Sequence, residues 1–358
     1  LRLTPAIIQS FCFPLIYAAM RYFSFSSFTS FSTSFALIFE PTLLVEGRFI
    51  LSDGILHFFS CLNIFAISIY IIDYESNYLW FAALSLGCAI SCKHTAFGLI
   101  AFDGFSQLIW IYKYRPSIKE IIERAIKFLL PAFSIFFLTN LIHFLILIYK
   151  GPGNDYFPSQ ISKSFLNLGS YGGLQLLGRS IYYRMYHLVI NTLFGHMMEY
   201  PVHPYESRPE YWPFLMSKYI VFASFPQRNV ILIGSPLTYW PATFSLVVIA
   251  VLLPFKNILD WRHLLLLFGW ISSYFPFFLI PRSMFLYHYL IPLIISVMCE
   301  GSLVESLFKK YYLIKYLWLW LMIFGGIISY TIWYPTIYCT VCESCLEIRE
   351  WINRWKTG

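Results

Sequence analysis

Residues 50–72 read Ile-Leu-Ser-Asp-Gly-Ile-Leu-His-Phe-Phe-Ser-Cys-Leu-Asn-Ile-Phe-Ala-Ile-Ser-Ile-Tyr-Ile-Ile, and Asp53 and His57 in the opening turns are the run's sole acidic and histidine side chains. At 1.5 Å rise per residue, about 20 apolar residues cross a hydrocarbon slab about 30 Å thick, so this stretch is long enough to span a bilayer. Lipid offers backbone amides no partner, and the run is too long for a barrel strand, so it must be a helix.

Working outward, similar runs lie near 5–23, 29–45, 78–92, 95–112, 127–149, 229–253, 263–280, 283–299 and 311–333. The expected fold is all-α, a polytopic membrane protein with about ten transmembrane helices. Composition requires the same answer. Charged residues make up 12% of 358 residues and hydrophobic ones 58%, whereas a soluble domain carries roughly 25% charge. A cytosolic enzyme, a nucleic-acid binder and a disordered chain are thereby excluded. The net charge of +7 is scattered between apolar runs, so the bilayer is the implied partner and nucleic acid is not.

The scattered cations set the topology. The loop holding Lys113, Arg115, Lys119, Arg124 and Lys127 is the most basic and is assigned to the cytoplasm. Counting spans from there places Lys256 and Arg262, and Lys309, Lys310 and Lys315, on the same side. The opposite, lumenal or external, face receives Arg2, the Glu46–Asp53 corner, Lys93 with His94, Arg282, the tail after Trp333 and the long connection from Gly151 to Arg228. Loops of that length are uncommon unless they carry function, so this is the working face. Four regions follow: a transmembrane core over 1–149, a lumenal loop over 150–228, a four-span region over 229–334 and a lumenal tail over 335–358. Leu1 already sits at the edge of a span, and the chain reads as having lost an N-terminal end.

Ionisable groups near hydrocarbon cost several kcal/mol unless paired or wetted. Arg2, Arg48, Asp53, Lys93, His94, Arg282 and His288 all fall on or near the expected lumenal side. Together they suggest a hydrated site with excess positive charge, suited to an anionic headgroup. Taken singly, each Arg can instead be a snorkelling anchor, and Asp53 with His57, at i and i+4, can satisfy one another. The segment His203-Pro204-Tyr205-Glu206-Ser207-Arg208-Pro209-Glu210-Tyr211-Trp212-Pro213 is held extended by its prolines and offers donors, acceptors and stacking faces. Its other reading is a rigid interfacial loop anchored by Tyr211 and Trp212. Cys12, Cys61, Cys88, Cys92 and Cys299 lie in spans as small apolar residues, while Cys339, Cys342 and Cys345 suggest a disulfide plus one spare thiol rather than a metal site.

The order of motifs is more specific. Leu1-Arg2-Leu3-Thr4-Pro5-Ala6, Pro14-Leu15-Ile16-Tyr17, Arg48-Phe49-Ile50-Leu51-Ser52-Asp53 and Ser85-Leu86-Gly87-Cys88-Ala89-Ile90-Ser91-Cys92-Lys93 are followed by His203-Pro204-Tyr205-Glu206-Ser207-Arg208-Pro209 with Trp212-Pro213. Gly234-Ser235-Pro236 with Tyr239-Trp240, Phe285-Leu286-Tyr287-His288-Tyr289 and Trp351-Ile352-Asn353-Arg354-Trp355 complete the series. In this order they resemble the membrane core of the protein O-mannosyltransferases. The resemblance implies a C-type glycosyltransferase fold in the endoplasmic reticulum membrane, with its active site facing the lumen. It implies transfer of mannose, with inversion, from dolichyl-phosphate-mannose to Ser or Thr hydroxyls of secretory proteins, and a related mannosyltransferase subunit as a dimer partner. The family topology, with a cytosolic N-terminus and a lumenal C-terminus, agrees with the charge-based count if one span precedes Leu1.

By the resemblance, Arg2 matches an arginine beside the active site, Arg48 and Asp53 match the R-[YF]-I-L-x-D corner, and Lys93 matches the lysine of an S-x-K-W turn. Arg208 belongs to the H-P-Y-x-S-R-P loop, and His288 and Tyr289 to an H-Y pair. Glu46-Gly47 stands where the family has Gln-Ser, His94 where it has Trp, and Ser235 where it has Asn. The roughly fifty residues between Gly151 and His203 leave no room for the family's MIR domain. The family's catalytic Asp-Glu pair is expected upstream of Leu1, with Arg2, Arg48 and Asp53 in support. Arg2, Lys93, Arg282, His288 and Tyr289 are expected to hold the donor phosphate, and His203, Tyr205, Glu206, Arg208 and Trp212 the acceptor. No covalent cofactor is implied, no metal ligands are named, and a divalent-metal requirement stays open. The competing readings are an inactive partner subunit, a transferase acting on a lipid or glycan, and a transporter. The last is disfavoured because the charges gather at one face rather than at the midplane.

Overall fold

The structure is a computed structural model that describes residues 3–146, 149–151, 185–186, 203–216, 218–226, 228–255 and 258–341. It is built from helices α1 (Leu3–Ser10), α2 (Cys12–Tyr22), α3 (Ser27–Ile38), α4 (Pro41–Glu46), α5 (Asp53–Asp73), α6 (Ser76–Cys92), α7 (Gly98–Tyr114) and α8 (Ile118–Ile146). After the 203–216 segment come a hairpin of β1 (Ile220–Phe225) and β2 (Arg228–Leu232), then α9 (Pro236–Leu252), α10 (Trp261–Tyr274), α11 (Leu290–Leu307) and α12 (Tyr312–Tyr338). Short 3₁₀ turns at His94–Phe97, Phe275–Leu279 and Leu286–Tyr289 extend α7, α10 and α11 at one end of the bundle.

Six helical segments are long and apolar enough to cross a membrane, and Asn77–Cys92 and Pro236–Leu252 are shorter apolar ones. With α3 and α10, they give ten apolar segments among the described residues, in the order the hydropathy reading expects.

Polar caps set the boundaries. Ser26 accepts from Thr29 N at the start of α3, Glu40 from Thr42 N ahead of Pro41, and Ser235 from Leu237 N ahead of Pro236. Each supplies an acceptor to amides that have no intrahelical partner, and Pro at the first position loses nothing by lacking one.

The hairpin is a departure from the sequence reading, which ran a span from residue 229. β1 and β2 pair antiparallel with Ile220 opposite Leu232 and an irregularity between Val221 and Ala223. Apolar runs this short carry no period that separates strand from helix, and the break at Gly234-Ser235-Pro236 is what divides β2 from α9.

Successive helices carry the chain between two polar ends. At the end bearing the basic loops, Arg124 donates to Tyr70 Oη at 2.7 Å and to the Tyr74 carbonyl at 3.0 Å, closing the C-terminus of α5. Arg262 donates to the Phe23 carbonyl at 2.7 Å and to Asp260, while Glu305 accepts from Ser26 N and Oγ at 2.9 Å each. Burial alone would raise the Asp260 carboxyl, but hydrogen bonds from His263 and Arg262 hold it well below the usual carboxylate range.

Helix α11 runs through the middle of the bundle, packed by α3, α9 and α10. In the span that contains it, 83% of the most apolar window is buried, against 22% in α8, which therefore faces outward. Close approach of α3 requires Gly301, since a Cβ there would collide with Thr33 Oγ1. Gly301→Val should therefore cost about 1–3 kcal/mol by overpacking. A thermal melt of the purified protein reads this as earlier unfolding, and an unchanged melt would show that α3 and α11 do not meet there.

Candidate functional site

The other end of the bundle collects the α4–α5 corner, the end of α6, the turn before α7, the 203–216 segment and the approach to α11. Helix α5 begins with Asp53, and α6 is followed by its C-cap Lys93, whose extended backbone (φ −165°, ψ 141°) breaks the helix there. Lys93 Nζ donates to Asp53 Oδ1 at 2.7 Å, with the lysine side chain 26% exposed and the aspartate 7%. The same ammonium lies 4.5 Å from the centre of the Tyr287 ring. It is thus held by a carboxylate on one side and an aromatic face on the other, with part of its surface open.

Behind Tyr287 the rings are layered. His288 stacks on Tyr287 at 4.4 Å between centroids, and Trp212 lies nearly parallel to His288 at 6.2 Å and 11°. Trp212 is fully buried and donates from Nε1 to Ser207 Oγ at 2.8 Å. Tyr289, also fully buried, accepts from Trp270 Nε1 at 3.0 Å. The 203–216 segment is fastened to the approach to α11 by Ser207 N to the Met284 carbonyl at 2.8 Å and by Ser283 Oγ to Glu206 at 2.6 Å. His203 packs edge-on against Phe285 at 5.0 Å, and Tyr205 is half-buried beside it.

The structure therefore brings Asp53, Lys93, Trp212, Tyr287, His288 and Tyr289 into one cluster with His203, Tyr205 and Glu206 attached. Arg282 is exposed and close enough to His94, Tyr287 and His288 to act on them electrostatically. Arg208 is exposed on the fastened segment. Arg48 is engaged elsewhere: it donates to the Ile337 carbonyl at 2.7 Å, and its guanidinium lies 4.3 Å from the Tyr338 ring centre. There it closes the C-terminal end of α12, where unpaired carbonyls attract a cation. Arg2, Cys342 and Cys345 lie outside the described residues.

Asp53 and His57 do not simply satisfy one another. Asp53 bonds Lys93, and His57 Nε2 faces Glu46 Oε2 at 4.0 Å, while His57 Nδ1 has no hydrogen-bond partner. Two residues of this corner escaped the sequence reading as site members. Glu46 is fully buried with neither carboxyl oxygen hydrogen-bonded, and burial pushes its carboxyl well above the usual value, with the Asp53 charge adding to the rise. Gln9 donates to the Leu43 carbonyl at 2.7 Å and leaves its own Oε1 unpartnered. Its amide fills the space over Gly47, where a Cβ would come within 2.6 Å of it. The available signal was a Gln and a Glu inside otherwise apolar stretches. Among the described residues, no group of three or more His, Cys, Asp and Glu is placed to hold a metal ion.

Chemically the cluster offers a partly open ammonium and an exposed guanidinium beside an aromatic wall. That combination takes an anionic group carrying a sugar or a lipid.

Residues 1–149 match the family described as dolichyl-phosphate-mannose-protein mannosyltransferase, and residues 182–355 match the C-terminal four-transmembrane region of protein O-mannosyltransferase. Similar curated proteins include dolichyl-phosphate-mannose–protein mannosyltransferase 3 of Saccharomyces cerevisiae, 27% identical across 46% of this chain and 24% of the relative. Protein O-mannosyl-transferase 1 of Danio rerio is 33% identical across 28% of this chain and 13% of that protein. The matched stretches thus span about a quarter or less of these relatives' length. Among solved structures, a chain of the S. cerevisiae protein O-mannosyltransferase Pmt1-Pmt2 complex bound to the sugar donor superposes with a TM-score of 0.82 at 15% identity. That match covers 100% of this chain and 81% of that one, and it shows the fold.

The Lys93–Asp53 pair makes a structural prediction. Lys93→Met strands a buried carboxylate and should lower stability by about 2–3 kcal/mol, below the fully buried figure because the ammonium is partly open. The double variant Lys93→Met with Asp53→Asn should recover most of that loss in a thermal melt. A double variant no more stable than the single one would show that the pair is not coupled.

Proposed function

The chain belongs to the protein O-mannosyltransferase family, and from that premise we propose that it transfers mannose from dolichyl-phosphate-mannose to Ser or Thr hydroxyls of secretory polypeptides, inverting the anomeric centre. The observation that carries this reading is the Lys93 ammonium, fixed by Asp53 and Tyr287 yet partly open, with exposed Arg282 nearby.

A β-linked phosphate donor giving an α-mannoside needs a single displacement. Phosphate leaves readily, so the protein's task is to hold negative charge on the departing group and to take the proton of the attacking hydroxyl. Lys93 and Arg282 fit the first task, with Tyr287 as the wall against which the phosphate sits and His288 and the buried Tyr289 packed behind it. Asp53 keeps Lys93 aimed. The 203–213 segment fits the acceptor, since its exposed His203 packs on Phe285, which stacks on Tyr287, while Arg208 is exposed on the same segment and Trp212 and Ser207 hold it in shape.

The basic loops at the opposite end support a cytosolic assignment for that end and a lumenal one, within the endoplasmic reticulum, for the site. The fold neighbour comes from a complex of two mannosyltransferases, which supports a related subunit as partner.

Arg282→Ala tests the assignment, because an exposed loop arginine is not needed for folding. In microsomes carrying the full-length protein, supplied with dolichyl-phosphate-mannose and a Ser/Thr-rich peptide, the variant should lose about 100-fold in kcat/KM while keeping its level and melting point. Near-normal transfer would overturn the role of Arg282.

A further inference from the structure

The α4–α5 corner holds a carboxyl that the mechanism above leaves unused. Glu46 is fully buried, and neither oxygen meets a donor. The titratable and polar groups that act on it come from several elements. They are Gln9 of α1 over the adjoining Gly47, Glu40 capping α4, Asp53 and His57 of α5, Lys93 after α6, Tyr239 of α9 and Tyr287 before α11. Unpartnered polar atoms accumulate among them: the acceptors Gln9 Oε1, Glu40 Oε2 and both Glu46 oxygens, and His57 Nδ1, which carries the ring proton when Nε2 accepts.

Charge and hydrogen bonding give one answer. Lys93 is the cation that acts on Glu46, and it already bonds Asp53 at 2.7 Å. With Asp53 and Glu46 both ionised, two carboxylates would face the one ammonium, inside a region with little water to screen them. With a proton on Glu46 the Asp53–Lys93 pair is left balanced, Arg282 leaves the surrounding site positive, and the acid becomes a donor beside the unpartnered acceptors. The 4.0 Å to His57 Nε2 is too long for a direct bond and is the spacing that a carboxyl rotation or one water closes.

We propose that Glu46 acts in donor binding as a neutral acid whose proton is shared with His57, and that its ionisation places a negative charge beside Lys93 and weakens binding of the donor's phosphate. The part concerning the donor rests on the phosphate-binding reading of Lys93. Glu46 is thus a positioning residue, acting through Lys93 without touching the reacting atoms.

The sign is fixed by burial. The folded-state value of Glu46 lies above its ordinary 4.5. The neutral form is therefore complete at and below that pH, and its contribution is lost as pH rises through the raised value.

The test uses the full-length protein in nanodiscs and Glu46→Gln, which keeps the shape and removes the titration. Infrared difference spectra without any donor should show a protonated-carboxyl stretch in the wild type that is absent from E46Q and fades as pH rises. Identical spectra would overturn the neutral acid. In transfer assays taken upward from about pH 4.5, the wild-type KM for dolichyl-phosphate-mannose should rise about tenfold across the range in which the carboxyl band fades, with kcat changing far less, whereas the KM of E46Q should be independent of pH. A parallel rise in E46Q, or an E46Q KM already high at the acid end, would overturn the link to donor binding. The infrared band without transfer at any pH would support the neutral acid and overturn the mannosyltransferase reading instead.

Discussion

An ammonium in contact with a carboxylate at the mouth of an apolar bundle is the interaction on which this structure turns. Lys93 and Asp53 sit 2.7 Å apart at the end of α6 and the start of α5. Neither could stay at that depth alone, because an unpaired ion near hydrocarbon costs several kcal/mol. Their pairing ties the two helices at the point where the chain turns. It also leaves the lysine with one free side, and Tyr287 occupies part of it. The stacked rings of Tyr287, His288 and Trp212, and through Trp212 the whole 203–216 segment, take their position relative to that ammonium. A rearrangement of this one pair would therefore reach the proposed donor side and the proposed acceptor side together.

Most of the architecture was legible in one dimension, because hydrocarbon imposes a rule that acts on each segment separately: a run long and apolar enough must be a helix. That is why residues 50–72 and their counterparts appear as helices in the expected order. The rule fails where segments are short. Residues 229–232 are apolar enough to be read into the next span, yet belong to the second strand of a hairpin, which pairs with β1 and packs on α4 and α12. Nothing in a hydropathy pattern distinguishes a strand that pairs locally from the first turns of a helix.

The site was legible in its residue types but less so in its pairings. Grouping Asp53, Lys93, Arg282 and His288 at one end required only counting spans. Deciding which groups meet required the third dimension. Asp53 has His57 one helical turn away and still bonds Lys93, forty positions on. Arg48 lies five positions before Asp53 in the sequence and is taken up by the final turn of α12, through the Ile337 carbonyl. Glu46 and Gln9 were the hardest to see, because a polar residue in an apolar run is equally consistent with a helix-end anchor and with a buried functional group. Only the absence of partners separates the two.

That absence is unevenly distributed, and the unevenness is informative. At the end bearing the basic loops, Arg124, Asp260, Arg262, His263 and Glu305 all have partners, several of them helix-end carbonyls or amides. These contacts close helices and connect them. At the opposite end Gln9, Glu40, Glu46 and His57 are buried with polar atoms left over, as Thr33, Asn63 and Asp103 are within the helices between the ends. Both ends belong to one bundle with one hydrophobic rationale, so packing alone does not account for the contrast. Buried acceptors without donors destabilise a fold by about 1–3 kcal/mol each, and they persist where protons, water or a bound group complete the hydrogen bonding. The incomplete end is the one that holds Lys93 and the 203–216 segment, which gives a reason independent of family likeness to place the chemistry there.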